Sequence, residues 1–364
     1  NHIYATYITI KDSRIMQLYG MLMVCMLNFA NAFAQEATQP QQSVAQDTVM
    51  RKAGGTAPTI IIGGDVYGGG LEGKVGVAPA EGQEITAEQA NTEVTNVTIA
   101  GGQLRTVFGG GKNGEVFGKT TVSIKGGEIG ADKWEGTPYG GVYGGGEGAS
   151  AIVHGHTDVT IGGGTNYNNV YGGGKQALLK GNSNVTLESG IIRNRVFAGA
   201  RMADINGYGL VNIVGDNSEG ADMLIVRAVY GGNDISGSIF NRSKNKPTDL
   251  TFKVAQGLPE GLASFVFSQN TATNVFIGNV FGGGNGDYKY ENDTDNEGKL
   301  QINLVEEQLP NDEDEIIVTF KNLNKPEADY AYLQIEGGTF GNIYGGGNNA
   351  TILKQTDIYY GIND

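Results

Sequence analysis

The chain has 364 residues, with 60 Gly, only 8 Pro and a formal net charge of −14. That length admits one or two domains with a real core, and the acidic balance argues against nucleic acid, whose binding needs a positive face. Glycine without a G-X-Y period excludes collagen, and the single cysteine, Cys25, leaves the rest of the chain without a disulfide or a cysteine metal site.

The first segment reads as an export signal. Residues 16–34 are MQLYGMLMVCMLNFANAFA, with an apolar core from Met21 to Leu27 and small residues at Ala32 and Ala34 for a signal peptidase. Lys11 and Arg14 lie just upstream. The apolar run is short for a membrane span, and a short membrane anchor is the alternative to a cleaved leader. Val24, before Cys25, is not the small residue that a lipidated cysteine follows. Residues 1–34 are therefore expected to be a cleaved leader, and the polar run 35–58 a flexible linker.

From residue 59 onward the chain repeats itself. V-Y-G-G-G stands at 66–70, 142–146 and 170–174, V-F-G-G-G at 107–111 and 280–284, and I-Y-G-G-G at 343–347. V-F-A-G-A at 196–200 and V-Y-G-G-N at 229–233 are worn copies. A second row carries N-V-T-I at 96–99, T-V-S-I at 121–124, D-V-T-I at 158–161, N-V-T-L at 184–187 and L-V-N-I at 210–213. A third row is a glycine, Gly118, Gly155, Gly181 or Gly207, four residues before the next Val. Intervals of 11, 11 and four give a 26-residue unit of three short extended segments.

Three short strands with alternating apolar positions cannot bury their apolar face alone, but stacked units share a core. The fold expected is all-β: a right-handed parallel β-helix of about eight coils over 59–364, with loop insertions. No amphipathic helix pattern favours a leucine-rich or βαβ alternative, and a propeller blade needs about 40–45 residues. The glycine runs are then corners, where a Cβ would clash or φ must be positive. A phosphate loop would be one copy opening a helix, with Lys and Ser/Thr after it. Lys175 is followed by Gln176 and no helix.

The ruler breaks at about 71–93, 128–138, 216–226, 235–249, 254–276 and 285–332. The last of these holds strand-like runs at Leu300–Val305 and Glu315–Phe320, read as a hairpin or small sheet inserted in the coil. Asp357-Ile358-Tyr359-Tyr360 opens a further coil, so a longer protein with its final coil cut short is expected.

The aromatic row is Tyr67, Phe108, Tyr143, Tyr171, Phe197, Tyr230, Phe281 and Tyr344. With each Val inward, the rings would stack outside as a ladder able to hold sugar rings; the alternative is an internal ladder, or stacking that merely stabilises the coil. His154, His156 and Asp158 alternate on one strand face, but Phe117, Lys119 and Thr121 stand at the equivalent places, so no metal is assigned. Asp293-x-Asp295-x-Glu297-Gly298 is similar to the start of a Ca²⁺ loop, but Leu304 stands at position 12. Calcium at an acidic loop is the one cofactor weighed, and none is assigned. Asp65, Glu128, Glu147, Asp158, Asp204 and Asp234 fall on different coils and rows, with no catalytic constellation. Two histidines past the leader make a Ser-His-Asp triad a poor fit.

The alternation of V-T-I-x-G-G with N-V-Y-G-G-G resembles glycine-rich repeat proteins exported by Bacteroidetes-type bacteria, similar to pectin-lyase-like parallel β-helix adhesins. The likeness covers about 59–364. It implies secretion or surface exposure and an adhesin or stalk role, with an extracellular glycan or a surface protein as partner. A polysaccharide lyase or glycoside hydrolase on the same scaffold, and a ligand-free spacer, are the alternatives. Neither a nucleic acid nor a membrane span in the mature chain is expected, and the sequence leaves oligomeric state open.

Overall fold

The computed structural model describes residues 60–130, 140–216, 221–240, 264–268, 274–292, 301–308 and 314–361, the side chains of 301–308 and 314–318 excepted. The expected leader, the linker and the calcium-like run Asp293–Gly298 lie outside the described residues. The fold is all-β, 54% strand and 2% helical. One five-residue helix, Ala87–Asn91, is capped by Thr86 and Gln89 in a reciprocal capping box. Among the described residues no helix is long and apolar enough to cross a membrane.

Among the described residues, seventeen strands join in one sheet, which closes on itself, and its pairings are parallel. They fall into three columns. In the first, Val97, Val122, Val159, Val185, Val211, Val266, Leu333 and Ile358 are successive partners. In the second, Val66, Val107, Val142, Val170, Val196, Val229, Val280 and Ile343 are. The third is shorter at each level, often a single bridge: Val75, Val116, Val153, Leu179, Ile205, Ile239, Ala328 and Ile352.

The alternation of residue types produces this arrangement directly. In Lys119–Ile124 the even positions Thr120, Val122 and Ile124 are buried and the odd ones half-exposed, as a strand with one face on a core requires. The aliphatic rows of the first two columns share one core. The third column has its own, with Val116, Val153, Leu179, Ile205 and Ile239.

Two further rows close the turns. Thr95, Thr120 and Thr157 donate their hydroxyls to the carbonyls of Gly109, Gly144 and Gly172 at 2.8, 2.6 and 2.7 Å. Ser183 does the same to Ala198. These hydroxyls stand opposite one another in the ladder. Each lets a strand residue satisfy a corner carbonyl that would otherwise be buried without a partner.

The glycines explain themselves by close approach. A Cβ on Gly109 or Gly144 would overlap the carbonyl oxygen of Gly144 or Gly172, its counterpart in the paired repeat. The third-row glycines stack likewise: a Cβ on Gly155 would strike the backbone of Gly118, one on Gly181 that of Gly155, and one on Gly207 that of Gly181. Positive φ is not the reason in the V-Y-G-G-G copies, none of whose glycines adopts it.

The insertion at 285–332 carries a separate three-stranded sheet. Gln301–Gln308 pairs antiparallel with Asp314–Lys321, which pairs parallel with Lys289–Glu291.

Candidate functional site

The aromatic row forms one continuous stack. Tyr67, Phe108, Tyr143, Tyr171, Phe197, Tyr230, Phe281 and Tyr344 follow one another with ring centroids 4.6–5.1 Å apart and planes within 16°. The rings sit on the opposite face from the Val row and form a cluster apart from the main core. They do not lie on an open surface. Phe108, Tyr143, Tyr171 and Phe197 are at most 2% exposed, Tyr230 is 3% exposed, and Tyr344 at the end is 46% exposed. Each inner ring spends both faces on its neighbours, so a sugar has no face to stack on.

What covers the ladder is polar and charged. At its first ring, the Tyr67 hydroxyl lies 2.5 Å from Glu147 and 3.4 Å from Asp65. Arg105 grips Asp65 through Nε at 2.8 Å and a terminal nitrogen at 2.5 Å. Lys175 pairs with Glu147 at 3.0 Å. Two carboxylates from different coils and rows thus meet at one phenol, a convergence that the sequence ruler did not place together. Burial raises the Asp65 carboxyl, but the hydrogen bonds from Arg105 and Thr106 and the Arg105 charge outweigh it and hold it below its usual value. Burial raises Glu147 too, and the hydrogen bonds from Tyr67 and Lys175 more than reverse this. Both are ionised at neutral pH, whereas a glycosidase pair needs one carboxyl raised to act as the acid.

Midway along the ladder a second cluster forms a half-open cleft of about 200 Å³. Its floor holds Tyr143, Tyr171, Arg201, Asp234, Ile235 and Phe320, all buried. Asn169, Asn194, Arg195 and Tyr288 are partly exposed at its rim. Asp234 accepts from the Tyr171 hydroxyl at 2.7 Å, the Tyr288 hydroxyl at 2.7 Å and Asn285 Nδ2 at 2.9 Å. Asn285 Oδ1 in turn accepts from Asn348 at 3.0 Å, so Asp234 ends an in-register amide ladder. Burial and then the Asp234 charge push the Tyr171 and Tyr288 phenols far above their usual range. Tyr143 is raised by burial. All three are neutral hydrogen-bonding groups. Tyr288, just before the first strand of the inserted sheet, and Phe320, in its Asp314–Lys321 strand, pack with Met202 and Ile235. The cleft therefore exists because the insertion folds against the ladder. No local sequence signal links residues 234, 195 and 288.

The histidine strand is engaged internally. His154 stacks on Phe117 at 4.2 Å and its Nε2 lies 3.1 Å from Glu115. His156 Nδ1 accepts from the Asn182 amide at 2.9 Å. Asp158 pairs with Lys119 at 3.0 Å and accepts from Asn184 at 2.8 Å. Among the described residues no group of three or more His, Cys, Asp or Glu side chains is placed to hold a metal ion. Glu128 accepts from Gln103 and Asp204 from the Ser238 amide.

No protein-family model matches the chain, and no curated protein or solved structure matches it.

Proposed function

We propose that this chain is a secreted or surface-exposed stalk of adhesin type, its coils running as a right-handed parallel β-helix of about eight turns. The observation that carries this reading is the set of three in-register columns, each with eight members, which step by 26 residues from Val159 to Val185 to Val211, from Val170 to Val196 and from Val153 to Leu179 to Ile205. A sheet closed once around, as in a barrel, pairs each strand with its neighbours in a single ring. The recurrence of partners one repeat later in each column supports a stacked coil. Right-handedness follows from the crossover rule for parallel strands. Display outside the cell rests on residues 16–34 and on the lack of cysteine after Cys25. The partner is an extracellular glycan or a surface protein, met by the charged cover of the ladder and by the inserted loops rather than by the ring faces. Catalysis is the weaker reading, because Asp65 and Glu147 are both held ionised and each is tied to a cation.

The test is incubation of residues 35–364 with plant, host and bacterial polysaccharides, followed by retention and chain-length analysis. Retention of one polymer class at unchanged length is the expected result. Shortened chains would contradict the adhesin reading. Absence of both effects on every polymer would remove glycan as the partner.

A further inference from the structure

The cleft beneath Tyr288 has a donor and acceptor balance that selects its ligand. The side-chain acceptors of Asp234, Tyr171, Tyr288 and Asn169 in its lining are engaged. Asp234 already accepts three hydrogen bonds. The Tyr171 hydroxyl donates to Asp234 and accepts from Asn169 at 2.7 Å. The Tyr288 hydroxyl donates to Asp234 and accepts from Arg195 at 3.2 Å. Asn169 Oδ1 accepts from the Arg195 amide at 3.1 Å. Arg195, at the rim, gives one N–H to Tyr288, and a guanidinium has five in a planar fork that fits a carboxylate. Two guanidinium groups line the cleft against one carboxylate.

A sugar, whose hydroxyls need acceptors as well as donors, matches this lining poorly. A group that only accepts, carried on an apolar stem, matches it well: the stem meets Ile235, Phe320 and the Tyr288 ring, and the head meets Arg195. The volume of about 200 Å³ suits one side chain rather than a drug-sized ligand.

The backbone gives a second sign of a built site. Ile235, in the lining, has φ +60°, a left-handed conformation that β-branched residues rarely adopt. It is held there by the Ser236 amide donating to the Asp234 carbonyl at 2.6 Å and by the Tyr290 hydroxyl donating to its own carbonyl at 2.5 Å. Strain of this kind persists where the surroundings over-determine it, and it clusters at binding and active sites.

We propose that this cleft is an anchor pocket for an acidic side chain, Glu or Asp, on a partner protein. The inference rests on the adhesin reading and takes its protein-partner arm.

The test is an NMR titration of residues 35–364 with an N-acetylated, C-amidated pentapeptide carrying a central Glu. The same peptide with Gln, D-glucuronate and acetate are the other probes. The Glu peptide should bind, with the other three at least about tenfold weaker. Arg195→Ala should weaken the Glu peptide by about tenfold or more. Arg195→Lys, which keeps the charge and loses the fork, should fall between, and it serves if the alanine variant fails to fold. Equal binding of the Gln peptide, tighter binding of glucuronate, binding of acetate as tight as the Glu peptide, no peptide binding, or no effect of Arg195→Ala or of Arg195→Lys would each overturn the proposal. Polysaccharide retention is read separately, so a chain held by a glycan but indifferent to the peptide leaves the adhesin reading standing and removes this one.

Discussion

Gly144 shows what the repeated glycine does. A Cβ there would overlap the carbonyl oxygen of Gly172 and press on Thr157 and Val159 at 3.0 Å. The contact is with backbone beside the paired strand, which cannot move without breaking the ladder on either side. Gly64, by contrast, has nothing within 4 Å of a Cβ and no positive φ. Gly144→Ala is therefore expected to cost on the order of 1–3 kcal/mol through overpacking. Gly64→Ala should stay within about 0.5 kcal/mol of the parent. Denaturant midpoints of the two variants check this, and equal midpoints would mean that the glycine run is not a close-approach corner. The sequence offered two reasons for these glycines, clash and positive φ, and only a neighbouring coil's coordinates separate them. The aromatic row was legible in the same partial way. Its spacing showed a ladder, but the groups that bury it, Glu147, Asp234 and Tyr288 among them, come from other coils and from the insertion.

At the scale of the element, the ladder is a stack of eight rings in which the phenols of Tyr67, Tyr143, Tyr171 and Tyr230, with that of Tyr288 beside it, titrate above their ordinary value of 10.0. In each, burial is the largest cause. The folded state thus keeps protons that the unfolded chain loses above its ordinary tyrosine range. A raised folded value gives stability that is full below pH 10.0 and is lost as pH rises beyond it. Denaturant midpoints should therefore be flat with respect to these groups up to about pH 10 and fall steeply above. Tyrosinate absorbance should lag behind free tyrosine until the chain unfolds. Ionisation at the free value with no loss of stability would show that the rings are not buried. The strand rows themselves were legible wherever the intervals of 11, 11 and four held. The third column was legible only as a glycine, because its strands are one or two residues long and carry no alternation to read. The runs at 300–305 and 315–320 coincide with the antiparallel pair Gln301–Gln308 and Asp314–Lys321. Their docking beside the ladder through Tyr288, Tyr290 and Phe320 had no sequence signal.

For the molecule as a whole, the ring stack and the cleft depend on the register in which the parallel strands pair. A slip of one residue would turn each Val outward and each ring inward. A slip of two would keep the faces but misalign the glycine corners. The cleft, the amide ladder ending at Asp234 and the carboxylates meeting at Tyr67 would all be lost. Cysteine pairs read the register directly, because residues 35–364 contain no cysteine of their own. Asp158 and Asn184 are direct partners with half-exposed side chains joined at 2.8 Å. Thr186, also half-exposed, is two positions further along the same strand and pairs with Thr160. Neighbouring parallel strands lie about 4.8 Å apart, within disulfide reach, whereas a two-residue offset adds about 6.6 Å along the strand. Oxidation of the Asp158→Cys/Asn184→Cys chain should close the bridge readily, while Asp158→Cys/Thr186→Cys should remain reduced under the same conditions. The reverse pattern, or equal closure of both, would contradict the stacked 26-residue coil on which the account depends.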